Sequence, residues 1–124
     1  MSHMGVVSIV DDDDSVRTAM GKLLRPHGYL VHSFASADEF LRSLAVDETQ
    51  CLISDIRMPG MTGLELQARL IALGRKMAVI FVTAFPEDKA RQQALAAGAY
   101  CYLGKPFDGA VLTRFVELAL SESG

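Results

Sequence analysis

The stretch Val6–Ser15, VVSIVDDDDS, joins an apolar run rich in β-branched residues directly to four consecutive aspartates. A short continuous run of this kind predicts a strand that is buried on both faces of a parallel sheet. Adjacent carboxylates repel one another, so solvent or a cation must compensate the charge of the acidic turn. A solvated turn or helix cap is the ordinary explanation, and a bound cation is the more specific one.

The succession of strand and helix repeats five times along the chain. Strands are predicted over residues 6–10, 29–34, 51–54, 77–82 and 100–103. Helices are predicted from a cap at Asp14 or Ser15 to about residue 25, from a cap at Ser36 to residue 44, and over 64–73, 87–97 and 108–120. This alternation implies one doubly wound α/β domain, (βα)5, with a five-stranded parallel sheet in the order 2-1-3-4-5.

Length and composition exclude several classes of protein. The 124 residues suffice for one domain, and 50% are hydrophobic while 22% are charged. With 12 basic and 15 acidic residues, the net charge of −3 gives no electrostatic footprint for nucleic acid or an anionic membrane. No apolar run approaches the roughly 20 residues of a membrane span. Two cysteines and no signal peptide predict a cytoplasmic location.

Residues with reactive or charged side chains directly follow four of the predicted strands. They are Asp11 and Asp12, then Asp55, Thr83 and Lys105. The carboxyl ends of parallel strands form the edge where ligands of such folds bind. Two carboxylates about 4 Å apart repel by roughly 4 kcal/mol at an effective dielectric constant near 20, and Mg²⁺ with oxygen ligands removes that repulsion. An aspartate nucleophile, a metal ion and fixed donors to phosphoryl oxygens together indicate phosphoryl transfer.

Four segments resemble the receiver domain of two-component response regulators. They are IVDDDDSVR (9–17), SDIRMPGMTGLEL (54–66), VTAF (82–85) and YLGKPF (102–107). Each match is weak alone, but the four occur in order, each after its own predicted strand. The resemblance extends from Val6 to about Leu120 and implies the flavodoxin/CheY-like form of the fold.

The resemblance assigns the acidic residues and one backbone carbonyl. It implies that Asp55 is phosphorylated and that Asp12 is the main carboxylate ligand of Mg²⁺, with Asp11 assisting. Asp55 and the backbone carbonyl of Arg57 would complete the protein ligands, and Mn²⁺ is the alternative ion.

The resemblance also implies a conformational switch. Thr83 and Lys105 would be catalytic, and Thr83 would form the switch with Tyr102, which turns inward when Thr83 moves toward the phosphoryl group. The Lys105–Pro106 peptide bond would be cis.

Phe85 occupies a position that is variable in the family and borders the phosphoryl site. A ring there could exclude the water that hydrolyses an acyl phosphate, which makes Phe85 a candidate modulator of dephosphorylation. The alternative is that Phe85 packs beside Pro86 and points away.

Among receivers, SDIRMPGMTGLEL and GKPFDGAVL (104–112) look most like the subclass of the nitrogen-fixation regulator FixJ. Members of this subclass usually carry a C-terminal helix-turn-helix domain. This implies phosphoryl transfer from a sensor histidine kinase, a phosphorylation-linked homodimer, and contact with DNA only through an output domain. We expect residues 1–3 to be an expression-tag remnant, 4–121 the receiver domain, and 122–124 a tail or the start of a linker.

These features indicate a self-phosphorylating and self-dephosphorylating switch rather than a metabolic enzyme. Three alternative functions share some of them. A haloacid-dehalogenase-like phosphatase also uses Asp, Mg²⁺, Thr and Lys, although its nucleophile follows the first strand and it carries a cap. A flavodoxin-like mononucleotide binder would need a first loop rich in glycine and hydroxyl groups. A receiver without an output domain is the third alternative.

Several residues have ordinary structural explanations. Asp13 and Asp14 are expected to lie in a solvated turn or cap. Cys51 and Cys101 should be separated by two strand spacings, roughly 9.5 Å, which exceeds the ~7 Å limit for a disulfide, so both are predicted to be buried thiols.

Overall fold

The computed structural model describes residues 5–123, so the predictions for residues 1–3 and for the start of the domain at residue 4 lie outside the described residues. The strands are β1 (Val6–Val10), β2 (Leu30–Phe34), β3 (Cys51–Ser54), β4 (Ala78–Thr83) and β5 (Cys101–Gly104). They form a five-stranded sheet in the order β2-β1-β3-β4-β5. Every neighbouring pair is parallel, which confirms the predicted topology.

The helices are α1 (Asp14–Leu24), α2 (Ala37–Leu41), α3 (Ala45–Glu48), α4 (Gly63–Ala72), α5 (Asp88–Ala96) and α6 (Gly109–Ser123), and a short 3₁₀ turn, Arg25–His27, follows α1. The single helix predicted after Ser36 is in fact two. The amide and the hydroxyl of Ser43 both donate to the carbonyl of Phe40, at 3.0 and 2.8 Å, and this turn ends α2. The last helix continues past the predicted end at Leu120 to Ser123.

Two apolar clusters cover the two faces of the sheet. One contains Val7, Ile9, Ile53 and Ile80 with Leu112 and Val116 of α6. The other contains Val10, Leu52 and Phe81 with Phe40 of α2 and Leu66 of α4. Every residue of β1 and β3 is buried, which explains why these strands are apolar except for Ser8 and Ser54.

The acidic turn after β1 is organised by Asp13 rather than by Asp14 or Ser15. Asp13 is the N-cap of α1, and its carboxylate accepts hydrogen bonds from the amides of Ser15 (2.9 Å) and Val16 (3.4 Å). The cap expected at Asp14 or Ser15 is therefore wrong by one or two residues, because Asp13 already has the extended backbone of an N-cap. The hydroxyl of Ser15 also donates to Asp13, and these bonds lower the pKa of the Asp13 carboxyl. Asp11 and Asp12 are left at the end of the strand.

Helix α4 begins very close to the loop that carries Asp55. A Cβ atom added to Gly63 would lie 2.1 Å from the carbonyl oxygen of Asp55, and the Gly63 amide donates to the carbonyl of Ile56 at 2.8 Å. Thr62 and Glu65 form a capping box that fixes this end of the helix. Glycine at position 63 is what permits the close approach.

The two cysteines are free, as predicted, but they differ in burial. Cys51 is buried and Cys101 is half-buried, because β5 is an edge strand. The prediction of two buried thiols is therefore wrong for Cys101. Burial raises the pKa of Cys51 to about 12 and that of Cys101 to about 11. Within residues 5–123, no helix combines the length and the hydropathy needed to cross a membrane.

Candidate functional site

Three aspartates meet at the carboxyl edge of the sheet. Asp11 and Asp12 follow β1 and Asp55 follows β3, and carboxylate oxygens of all three lie within 4.8 Å of one another. Asp11 is 1% exposed and Asp55 is 8% exposed, whereas Asp12 faces solvent. The structure thus brings together the acidic residues selected from the sequence.

Lys105, which follows β5, joins the two buried carboxylates. Its Nζ atom donates to Oδ2 of Asp11 at 2.9 Å and to Oδ2 of Asp55 at 3.2 Å. Burial alone would lower the pKa of Lys105, but the hydrogen bonds and charges of Asp11 and Asp55 outweigh it, so the pKa is raised. Lys105 is therefore a fixed cation at neutral pH.

Burial shifts the pKa of Asp11 in the opposite direction to that of Lys105. It raises the pKa of the Asp11 carboxyl, although the hydrogen bond from the Asp13 amide and the contact with Lys105 act in the other direction.

Arg17 donates to the backbone carbonyl of Asp11 at 2.7 Å and pairs with Asp14 at 2.8 Å. Arg17 was not singled out from the sequence, although its position three residues after Asp14 on a helix was a usable signal.

Both carboxylate oxygens of Asp55 have hydrogen-bond donors. Oδ1 accepts from the amide of Ile56 at 2.7 Å, and Oδ2 accepts from Lys105. The amide of Asp55 donates to the carbonyl of Val10 at 3.0 Å, which ties the loop to β1. These contacts fix the orientation of the carboxylate before any phosphodonor binds.

The donor set fits a hard divalent cation. Three carboxylates face one lysine, so negative charge exceeds positive charge at this edge. Oxygen donors of this kind are the ligands of Mg²⁺ and Ca²⁺, and exposed Asp12 leaves the cluster open to hydrated ions. The arrangement is an acidic pocket that includes the pre-oriented carboxylate of Asp55.

Of the two residues expected to form a switch, Thr83 ends β4 at the same edge of the sheet as this pocket, and Tyr102 lies within β5. Thr83 is fully buried at the end of β4, and its Oγ1 accepts a hydrogen bond from the amide of Phe85 at 3.2 Å. Tyr102 is half-buried, packs edge-on against the ring of Phe81, and accepts through its hydroxyl from the amide of Glu87 at 3.4 Å. The Lys105–Pro106 bond is cis, as expected.

The side chain of Arg57 has two partners in the segment that follows β4. Its guanidinium group pairs with Glu87 at 3.3 Å and lies 4.9 Å from the centre of the Phe85 ring, which is 60% exposed. These partners belong to a loop that is distant in sequence, so no local pattern around Arg57 predicted them.

A family model, described as the response regulator receiver domain, matches residues 7–117. The chain belongs to this family. The assignment decides against the phosphatase and the mononucleotide binder considered from the sequence.

Relatives of this receiver domain include several transcriptional regulators. It is 38% identical to FixJ of Azorhizobium caulinodans over 117 residues, which cover 94% of the chain and 56% of the relative. It is 43% identical to the C4-dicarboxylate transport regulator DctD of Rhizobium meliloti over 107 residues, which cover 86% of the chain and 23% of the relative. The domain thus spans only part of the length of these relatives.

Solved structures agree with the assignment. A crystal structure named FixJ-N superimposes with a TM-score of 0.84 at 31% identity, with coverage of 98% of this chain and 96% of the other. A receiver protein from Burkholderia phymatum gives a TM-score of 0.81 at 42% identity, with coverage of 94% and 95%. The FixJ-like subclass is supported by both kinds of comparison.

Proposed function

We propose that this receiver domain accepts a phosphoryl group on Asp55 and that Thr83, Lys105 and Tyr102 convert that event into a change of surface. The observation that carries the proposal is the bridge of Lys105 between buried Asp11 and Asp55, with Asp12 beside them. It combines an oriented oxygen nucleophile, a fixed cation and an acidic pocket at one edge of the sheet.

The chemistry follows from these side chains. A carboxylate oxygen of Asp55 attacks the phosphorus of the donor, so an oxygen–phosphorus bond forms while the bond from phosphorus to the donor's leaving atom breaks. The product is an acyl phosphate. Lys105, which holds Asp55 in the resting site, donates to a phosphoryl oxygen as charge moves there, and the Thr83 hydroxyl donates to another.

Asp12 would be the main ligand of the metal, Asp11 would assist, and Asp55 and the backbone carbonyl of Arg57 would complete the protein ligands. Mg²⁺ is the proposed ion, with Mn²⁺ as the alternative. When bound, the ion neutralises the carboxylates and the phosphoryl oxygens. The spread of the three carboxylates and the exposure of Asp12 support this assignment.

The proposed phosphodonor is a sensor histidine kinase, in keeping with the receiver family. FixJ and the DNA-binding transcriptional regulator NtrC of Salmonella typhimurium are regulators of transcription by name. We therefore propose a transcriptional output through a separate DNA-binding domain, linked after residues 4–121, and a homodimer formed on phosphorylation. Two free thiols support a cytoplasmic location.

The experiment is incubation of the domain with a small phosphodonor such as acetyl phosphate and Mg²⁺, followed by intact mass spectrometry. We expect the added mass of one phosphoryl group, lost in hydroxylamine and blocked by EDTA. Asp12→Ala should need more Mg²⁺ for the same yield, whereas Asp14→Ala, in the same turn, should behave as wild type. A modification that forms equally well in EDTA would contradict the proposed mechanism.

A further inference from the structure

Both side chains of the proposed switch are held by one short segment, residues 85–87. The amide of Phe85 donates to Thr83 Oγ1 at 3.2 Å, and the amide of Glu87 donates to the hydroxyl of Tyr102 at 3.4 Å. In the proposed switch Thr83 moves toward the phosphoryl group and Tyr102 turns inward, so both side chains move relative to this segment.

The segment is in turn held from across the site by Arg57. The guanidinium group pairs with the Glu87 carboxylate at 3.3 Å and lies over the Phe85 ring at 4.9 Å. Arg57 follows Asp55 by two positions, so one side chain connects the loop that would be phosphorylated to the segment that restrains the switch. This connection uses both ends of the segment.

We propose that Arg57 is a positioning residue that latches segment 85–87 in its resting place and thereby restrains Thr83 and Tyr102. The inference rests on the proposed function of these two residues as a switch. An interaction that stabilises only the resting arrangement weakens, by the same factor, the binding of any ligand that requires the activated arrangement. The reason is that the conformational equilibrium and the binding equilibrium are linked. Arg57 therefore sets how strongly the phosphoryl group, or a mimic of it, must favour the activated arrangement before the domain switches.

The size of the effect follows from the exposure of the contacts. The side chains of Arg57 and Glu87 are 57% and 59% exposed, so the ion pair is screened by solvent. An exposed ion pair and an exposed cation–π contact together favour one arrangement by about three- to thirtyfold. A latch of this strength biases the switch without locking it.

The first test is amide hydrogen exchange, measured by NMR on the unphosphorylated domain in EDTA. In Arg57→Ala, exchange of the Phe85 and Glu87 amides should accelerate by about three- to thirtyfold, and Glu87→Gln should give a smaller acceleration. Arg57→Lys, which keeps the charge, should restore part of the protection. The matched control is Arg75→Ala, which removes the same charge from the exposed Arg75–Asp47 pair far from the site, and it should leave both amides as in wild type.

The second test is titration with beryllofluoride and Mg²⁺, followed through the NMR signals of Thr83 and Tyr102. Arg57→Ala should reach half-saturation at a lower beryllofluoride concentration than wild type, by the factor seen in exchange. Unchanged amide exchange, or equal or weaker beryllofluoride binding, would overturn the latch. If wild type itself neither binds beryllofluoride nor accepts a phosphoryl group, the proposed function fails, and the exchange measurement still decides whether Arg57 holds the segment.

Discussion

Lys105 stabilises two buried carboxylates whose charges would otherwise repel each other. Its side chain is 17% exposed, and those of Asp11 and Asp55 are 2% and 10% exposed. In such a group, removal of the cation leaves buried charges without a partner, and that loss is larger than the net gain from forming the pair. Lys105 therefore contributes to the stability of the resting domain as well as to its chemistry.

Replacement of Lys105 should reveal this contribution. We expect Lys105→Met to lower the free energy of unfolding by about 2–4 kcal/mol in EDTA, as measured by urea denaturation at neutral pH. Mg²⁺ should recover part of the loss, because a cation among the carboxylates replaces the missing charge. The control is Lys76→Met at an exposed position, which should change the free energy by less than about 0.5 kcal/mol. Equal stability of the two variants would show that Lys105 does not hold the carboxylates together.

Phe85 bears on the lifetime of the phosphorylated state. Its ring is 60% exposed and lies beneath Arg57, and it offers no polar group to orient a water molecule. If the ring hinders the approach of water to the acyl phosphate, Phe85→Ala should shorten the phosphorylated half-life. A tenfold change corresponds to about 1.4 kcal/mol in the barrier. An unchanged half-life, followed by mass spectrometry after removal of the donor, would leave the ring with a packing role only.

Helix α4 fixes the loop of Asp55 through a close backbone contact. A Cβ atom at Gly63 would collide with the carbonyl oxygen of Asp55, so one of the two backbones would have to shift. At Gly21 in α1, by contrast, an added Cβ would meet only the end of the Arg25 side chain. The two glycines are both buried and both helical, so they form a matched pair.

Substitution of this pair should have opposite outcomes. Gly63→Ala should cost about 1–3 kcal/mol in the free energy of unfolding, as other overpacked sites do, and should lower the yield of phosphorylation because the Asp55 loop shifts. Gly21→Ala should be neutral or stabilising by up to about 1 kcal/mol, since alanine favours the helix and Arg25 can move. Urea denaturation and mass spectrometry measure the two effects. A Gly63→Ala variant with wild-type stability and phosphorylation would contradict the role assigned to the contact.

Most of the sheet was predictable because its central strands are apolar runs buried on both faces, as in β1 and β3. The acidic and basic site residues were predictable because the carboxyl ends of parallel strands all lie at one edge of the sheet. The cap at Asp13 was not, since any of four successive aspartates could have capped α1. The break after α2 depends on the local bonds of Ser43, and the side-chain partners of Arg57 depend on tertiary structure alone.

We expect the domain to associate on activation. Movement of Thr83 and Tyr102 should remodel the face formed by α5 and β5, and apolar side chains exposed there favour pairing of two domains. Sedimentation should give a monomer without activator and a dimer with beryllofluoride and Mg²⁺. An unchanged mass would refute activation-linked dimerisation.

Two exposed leucines offer a matched test of the dimer face. Leu95 of α5 is 38% exposed. Leu44 is 87% exposed and lies just before α3, in the connection that follows β2, the edge strand opposite β5. Leu95→Glu should weaken the activated dimer, whereas Leu44→Glu should not. The reverse result would place the interface elsewhere.

Asp55 is the proposed acceptor of the phosphoryl group, to the exclusion of the other clustered aspartates. The most direct measurement is intact mass after incubation with acetyl phosphate and Mg²⁺, made on wild type, Asp55→Asn and Asp13→Asn. Asparagine still caps a helix, so Asp13→Asn tests the same chemical change outside the site. We expect one hydroxylamine-labile phosphoryl group on wild type and on Asp13→Asn, and none on Asp55→Asn. The same mass gain in Asp55→Asn would show that Asp55 is not the acceptor.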